Sequence, residues 1–260
     1  MEKRQWGFIL VLFVVLITSI GLFYTPFDPT QVRVVDRFQP PSRTHWFGTD
    51  NFGRDILSRI LVGGRWSLFV GGAAVFLGST LGVFFGSIAG LGGKGWDEAF
   101  MRIADGLYAL PSILIALLLA TIWGPGRNTV LISIAVGNIP VFMRLTRSHI
   151  LKVKEEPYIE AARALGASEF RILFRHILPN IKDTLLVQVS VSLAGAILAE
   201  ASLSYLGVGI QPPDPSWGRM LRDAQPFAHL APWTVIAPGL LIAVTVLGFN
   251  LMGDELIERR

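Results

Sequence analysis

Six apolar stretches, each near the roughly 20 residues needed to cross about 30 Å of hydrocarbon, leave this 260-residue chain few ways to fold. A backbone in lipid has no water to bond, so it closes its own hydrogen bonds as helices or as a sealed barrel. These stretches are continuous rather than alternating in polarity, which selects helices. They run from Gly7 to Tyr24, Ser67 to Gly92, Gly106 to Trp123, Thr129 to Phe142, Thr184 to Leu206 and Trp233 to Phe249. Composition agrees: 52% of residues are hydrophobic and 16% charged, where soluble domains carry about 25% charged residues. The expected fold class is an all-α integral membrane protein with six transmembrane helices. The first stretch also fits a cleaved leader, with Ser19 and Gly21 in small-x-small spacing, but its apolar run continues to Tyr24, which favours a retained span.

Several function classes lose their footing at once. There is no cysteine, and the four histidines, His45, His149, His176 and His229, form no ligand-spaced pair, so no metal site is expected. Lys and Arg are scattered between apolar blocks, which does not suggest nucleic-acid binding. The only Gly-Lys pair, Gly93-Lys94, is followed by Gly95, so a phosphate-cradling loop is missing, and with it the expectation of a bound nucleotide. Neither G-x-S-x-G nor H-E-x-x-H occurs. No catalytic residue is nominated, and the chain is not expected to be an enzyme.

Inside the spans the exceptions to apolarity carry information. Gly71, Gly72, Gly78, Gly82, Gly86 and Gly90 would let the second span approach other helices closely. Pro111, Pro140 and Pro238 interrupt helical ladders, and the freed carbonyls need partners. Glu200, followed by Ser202 and Ser204, is the one acidic residue well inside a span. An intramembrane carboxylate fits a translocation path or a partner contact, and equally a hydrogen-bonded packing position. With six spans, the side bearing both termini holds 14 Lys and Arg, among them Lys3, Arg4, Arg259 and Arg260, against 9 on the other. That bias predicts cytoplasmic termini.

One polar island, "EPYIEAARALGASEFRILFRHILPN" from Glu156 to Asn180, lies between the fourth and fifth spans on that same side. Tyr158, Ala161, Ala162 and Leu165 recur at helical spacing. Gly166 stands where a helix end favours positive φ, and Ser168 is placed to cap a second helix. In that helix Phe170, Leu173, Phe174 and Ile177 share a face before Pro179, which is expected to end it. The result is either an amphipathic connector on the membrane surface or a knob for another protein's cleft.

These residues resemble a known family. Glu160-Ala161-Ala162, Gly166 and Ile177-Leu178-Pro179 are similar to the EAA motif of permease subunits in binding-protein-dependent ABC importers, with isoleucine one place later than the common spacing, which would put it at His176. The segments "HWFGTDNFGRDILSRILVGGRWSL", "ASLSYLGVGIQPPDPSWGRML" and "FNLMGDELIERR" resemble the C-type permeases of the dipeptide, oligopeptide and nickel branch. The resemblance implies a type I importer permease (MetI-like) fold in the cytoplasmic (inner) membrane, with an amino-terminal unit 1–66, a permease core 67–260 and an ATPase-coupling loop 144–183. It also implies a second homologous permease, two ABC ATPase subunits that spend the ATP, an extracytoplasmic solute-binding protein and surrounding lipid, with no cofactor or metal on this chain. Peptides are the first expected cargo and nickel or a metal chelate the second.

Two further expectations come from the residues themselves. Asp50, Arg54 and Asp55 are placed to pair locally, and Phe52, Ile56, Leu57, Ile60 and Leu61 suggest an amphipathic helix lying on the outer interface. The alternative from another class, an ion-coupled secondary transporter or channel, calls for paired intramembrane charges and internal repeats. The chain shows one such charge and no clear repeat.

Overall fold

The computed structural model describes residues 5–258; Lys3, Arg4, Arg259 and Arg260, used in the charge count above, lie outside them. Among the described residues the elements are helical, with no named strand. Helix α1 is Trp6–Phe23, α2 Ile56–Leu91, α3 Lys94–Ala109, α4 Ser112–Trp123, α5 Arg127–Val153, α6 Pro157–Ala164, α7 Glu169–Ile172, α8 Leu178–Tyr205, α9 Trp217–Ala224 and α10 Trp233–Glu258. Five helical stretches are long and apolar enough to cross a membrane, and a sixth is formed if the bent pair α3–α4 counts as one.

Helix α2 is the spine. Of the six glycines expected to allow close approach, Gly78, Gly82, Gly86 and Gly90 seat α5 and Gly71 meets Ile197, whereas a Cβ on Gly72 would meet nothing, so that position makes no close contact. A Cβ on Gly78 or Gly86 would stand 2.6 Å from the carbonyl oxygen of Ala135 or Met143, and one on Gly90 would stand 2.8 Å from Ile150. This stripe seats α5 along α2, and the interior there is filled by Val70, Ala74, Val75, Ile134 and Phe142. Helix α10 lies between α8 and α1, and Gly7 of α1 meets the backbone of Leu251 and Met252. Helix α1 is thus a wall of the bundle.

The structure corrects several boundaries. The predicted third span, Gly106 to Trp123, is broken: α3 and α4 meet at 83°, because Pro111 cannot continue the ladder of α3. The fourth extends well past Phe142 to Val153, because the charges that end its apolar run are paired: Arg147 with Asp97, and Arg144 with Asp105 at 2.6 Å. Positions 144–153 of the expected coupling loop are therefore the last turns of α5. The position 66/67 expected to separate two units falls inside α2, which runs through it without a break.

The outer amphipathic helix is likewise the first turn of α2 rather than a surface element. Ile56 and Ile60 are buried against Met220, with Trp233 alongside. Asp55 starts this helix by accepting from the Ser58 backbone N–H at 2.8 Å, and its other oxygen meets Nδ1 of buried His45 at 2.9 Å. Asp50 takes the local pairing instead, holding Arg54 at 2.6 Å and the buried Arg59 at 3.6 Å. Arg54 also reaches Asp223 of α9 at 3.6 Å. The segment before α2, the start of α2, and α9 are thereby knitted into one cap at the end of the bundle opposite α6 and α7.

Candidate functional site

At the end of the bundle that carries α6 and α7, the polar island forms a platform with its own small core. Ile159 of α6, Ile172 of α7 and Ile177 are fully buried with Ile150, Val153 and Ile181 from the neighbouring ends of α5 and α8. Burying such a side chain is worth about 1.5 to 3 kcal/mol, so the platform is fastened to the bundle rather than hung from it. Sequence periodicity pointed to Tyr158, Ala161, Ala162 and Leu165 and missed Ile159 and Ile172, which lie off the expected stripes and share the core with Ala162 and Leu173. The signal was there in the hydrophobic residues that fall off the main stripe.

Between the two helices Gly166 has φ +81°, and its amide closes the end of α6 by donating to the Arg163 carbonyl at 2.9 Å. Ser168 then caps α7 by accepting from the Arg171 N–H. Across this turn Arg163 donates twice to Glu169, at 2.9 and 3.1 Å, and that bidentate pairing raises the Arg163 pKa above its ordinary value. The helix–glycine–helix expectation holds to this point.

Beyond it the structure departs from expectation. Pro179 does not end the second helix; the chain stays helical from Glu169 to Tyr205 as one 37-residue rod. Proline removes a hydrogen bond and its ring crowds the carbonyl four residues back, here Arg175. The backbone answers with a wide π-type turn over Leu173–Ile177, immediately before the proline. Such a turn holds one more residue than an α-turn, and within it Ile177 is buried, while His176 is half-buried with its ring centroid 6.4 Å from that of Tyr158.

The motif residues divide by direction. Glu160, Ala161, Gly166 and Pro179 are exposed, whereas Ala162 and Leu178 pack with Ile177 into the small core. Beside the exposed set stand large apolar side chains with nothing over them: Leu165 is 89% exposed, Phe170 73% and Phe174 54%, the two phenylalanine rings 4.5 Å apart. The expected common face of Phe170, Leu173, Phe174 and Ile177 is thus split, two outward and two inward. Phe170 and Phe174 also edge an apolar groove of about 810 Å3 between α2 and the rod, lined further by Phe76, Phe84, Leu185 and Val189.

Glu200, Ser202 and Ser204 do not form one site. Ser202 is exposed and bonds back to the Leu198 carbonyl, whereas Glu200 is 0% exposed inside the chain and accepts from Ser204 Oγ at 2.7 Å.

A bundle of lipid-compatible helices that holds out a rigid, apolar-faced platform on one side and a closed cap on the other is a membrane subunit shaped for partner proteins. Residues 82–260 match the family model of the binding-protein-dependent transport system inner membrane component, and the chain belongs to that family. It is 44% identical over 96% of its length to the dipeptide transport system permease protein DppC of Alkalihalophilus pseudofirmus, covering 82% of that protein. It is 43% identical to the glutathione transport system permease protein GsiD of Escherichia coli O6:K15:H31, over 98% of this chain and 86% of that one. Against the oligopeptide transport system permease protein OppC of Bacillus subtilis the identity is 39%, over 96% and 82%. The fold is shared with solved importers: the inward-facing MetNI methionine ABC transporter, at TM-score 0.62 and 18% identity over 76% of this chain and 94% of that one, and a bacterial ABC transporter involved in import of the acidic polysaccharide alginate, at TM-score 0.62 and 17% identity over 95% and 88%. The type I importer permease architecture expected from the sequence is the fold of this multi-pass membrane protein, and its family implies ATPase and substrate-binding partners.

Proposed function

We propose that this chain is the permease subunit of an ABC importer that carries peptides of the dipeptide and oligopeptide class across the cytoplasmic membrane. The observation that carries the reading is the α6–α7 platform, which is braced from behind by a buried isoleucine cluster and presents Leu165 and Phe170 uncovered. An apolar surface held this rigidly in water is a docking face. Glu160, Ala161 and Gly166 meet the ATPase subunit; Ala162, Ile177 and Leu178 hold the platform in shape, and Pro179 sets the π-type turn beneath it.

In this reading a second, homologous permease lies alongside, two ATPase subunits sit one under each platform, and a solute-binding protein meets the cap. The chain binds no cofactor; ATP is spent by its partners. The platform and both termini face the cytoplasm, the side favoured by the Lys and Arg bias. Closure of the ATPase pair draws the two platforms together, and because each platform is continuous with its rod, the two bundles rock against each other.

Relatives named for dipeptide, oligopeptide and glutathione transport support a small-peptide cargo. None of those names supports nickel. An ion-coupled mechanism loses ground too, since Glu200 has no cation paired with it among the described residues. Reconstitution tests the whole reading. With both permeases, the ATPases and the binding protein, liposomes should accumulate labelled di- and tripeptides only when ATP and binding protein are both present. Accumulation by this chain alone, driven by an ion gradient, would overturn it.

A further inference from the structure

Glu200 is the most deeply buried carboxylate in a membrane-crossing element of the described chain, and the docking reading gives it no task. It lies near the cap end of the 37-residue rod that begins in the platform. Its Oε1 accepts from the Ser204 hydroxyl at 2.7 Å, and Ser204 Oγ in turn accepts from the Ile210 backbone N–H at 3.3 Å, in the loop beyond the rod. Ser67 of α2 and Ser216, the residue that caps α9, lie against the same carboxyl. Among the described residues, Glu200 Oε2 and Ser67 Oγ complete no hydrogen bond. Directly or through Ser204, this carboxyl therefore joins α2, the rod, the 206–216 loop and the start of α9.

Packing around this point has little slack. A Cβ on Gly209 would stand 2.0 Å from Ser204 Oγ, and one on Gly218 would stand 2.1 Å from the Ala201 carbonyl oxygen. Trp217, fully buried, donates from its indole to the Ile60 carbonyl at 3.1 Å. Glu200 is 0% exposed and does not line the apolar groove between α2 and the rod. An unpaired buried carboxyl is a costly way to fill space that leucine could fill. Apolar packing is non-directional and allows sliding, whereas a hydrogen-bonded polar node specifies one register.

We propose that Glu200 is a positioning residue that clasps α9 of the cap, with the 206–216 loop leading into it, to the rod, so that displacement of the cap is delivered to the platform at the far end. From Glu169 to Glu200 the rod spans about 45 Å at 1.5 Å per residue, without an intervening loop. The clasp rests on the ATPase-docking reading of the platform, and supplies what that reading lacks: a fixed joint between the face that meets a solute-binding protein and the face that meets the ATPase.

The experiment uses the complete reconstituted importer with Glu200→Ala, Glu200→Gln and Ser204→Ala. It measures ATPase co-purification, basal hydrolysis, the stimulation of hydrolysis by loaded binding protein, and uptake per ATP. Glutamine keeps the acceptor for Ser204 and offers a donor to Ser67, so Glu200→Gln should stay within about twofold of the unmodified importer. Glu200→Ala should lose about tenfold in stimulation, with basal hydrolysis and co-purification retained, and Ser204→Ala about threefold, in line with one and a fraction of one buried hydrogen bond. Unimpaired stimulation in Glu200→Ala overturns the proposal. So does equal loss in Glu200→Gln and Glu200→Ala, which would make the negative charge the functional feature. Where Glu200→Ala fails to assemble, Ser204→Ala decides, and full stimulation there is also a refutation. Failure of the docking reading looks different: the unmodified chain would not retain the ATPase at all.

Discussion

At the cap end of the rod, Trp217 is wholly buried and glycines stand where a Cβ would collide with backbone; at the platform end, Leu165 is almost bare and Gly166 has open space around it. The cap draws its order from inside this chain, through buried aromatics and an Arg–Asp network. The platform draws only its shape from this chain and leaves its outer surface uncovered. Changes at the cap should therefore register as lost stability of the isolated subunit, and changes at the platform as lost association with a partner.

The largest effect is expected at the cap. Trp217→Ala removes a fully buried indole, its hydrogen bond to the Ile60 carbonyl, and the surface on which Gly64 rests. Truncations of this kind cost about 3 to 5 kcal/mol, a large share of a typical fold's margin. Thermal unfolding of the purified subunit in detergent should show a pronounced fall in midpoint. A fall no greater than that of Leu165→Ala would break the contrast between the two ends.

The next effect belongs to the platform and appears in a different measurement. Leu165→Ala combined with Phe170→Ala removes two exposed side chains, so the unfolding midpoint of the subunit alone should hardly change. Large apolar anchors at the centre of an interface are commonly worth 2 kcal/mol or more each. Affinity for the ATPase should therefore drop at least tenfold, read by titration of the detergent-solubilised permease pair. A stability loss with unchanged affinity would mean that these side chains pack within the subunit rather than dock.

What was readable in the sequence follows the same division. Local devices were legible: the apolar runs as helices, most of the glycine stripe of α2, the turn at Gly166 and the Ser168 cap each depend on neighbours a few residues away, and each is found at the expected place, although the ends of the runs and Gly72 are not as expected. Long-range partners were not. Arg144 and Arg147 read as the end of a span because their carboxylate partners, Asp105 and Asp97, lie far back in the chain on α3. Neither of the partners of the buried Arg59, Asp50 and the Pro29 carbonyl at 3.0 Å, could be assigned to it from spacing. Pro179 read as a helix stop because the sequence does not announce the π-type turn that absorbs it. Glu200 was visible as an oddity, but its neighbours Ser67 and Ser216 come from two other parts of the chain, so no local pattern joined them.

The smallest expected effect is the sharpest test of the platform, because it alters shape and leaves the docking side chains in place. Gly166 holds φ +81° with no atom within 4 Å of where a Cβ would stand, so a side chain there meets no clash and only the backbone conformation is penalised. For valine that penalty is about 1 to 2 kcal/mol, and relieving it rotates α6 relative to α7 against the Arg163–Glu169 link. Asparagine tolerates the left-handed region far better, so Gly166→Asn serves as the control of similar bulk. Gly166→Val should insert and fold with the bundle intact, while uptake per ATP hydrolysed falls severalfold; Gly166→Asn should recover most of that ratio. If Gly166→Val binds the ATPase and transports at the unmodified ratio, the partner does not read the angle between the two helices. Docking would then rest on the exposed apolar side chains alone.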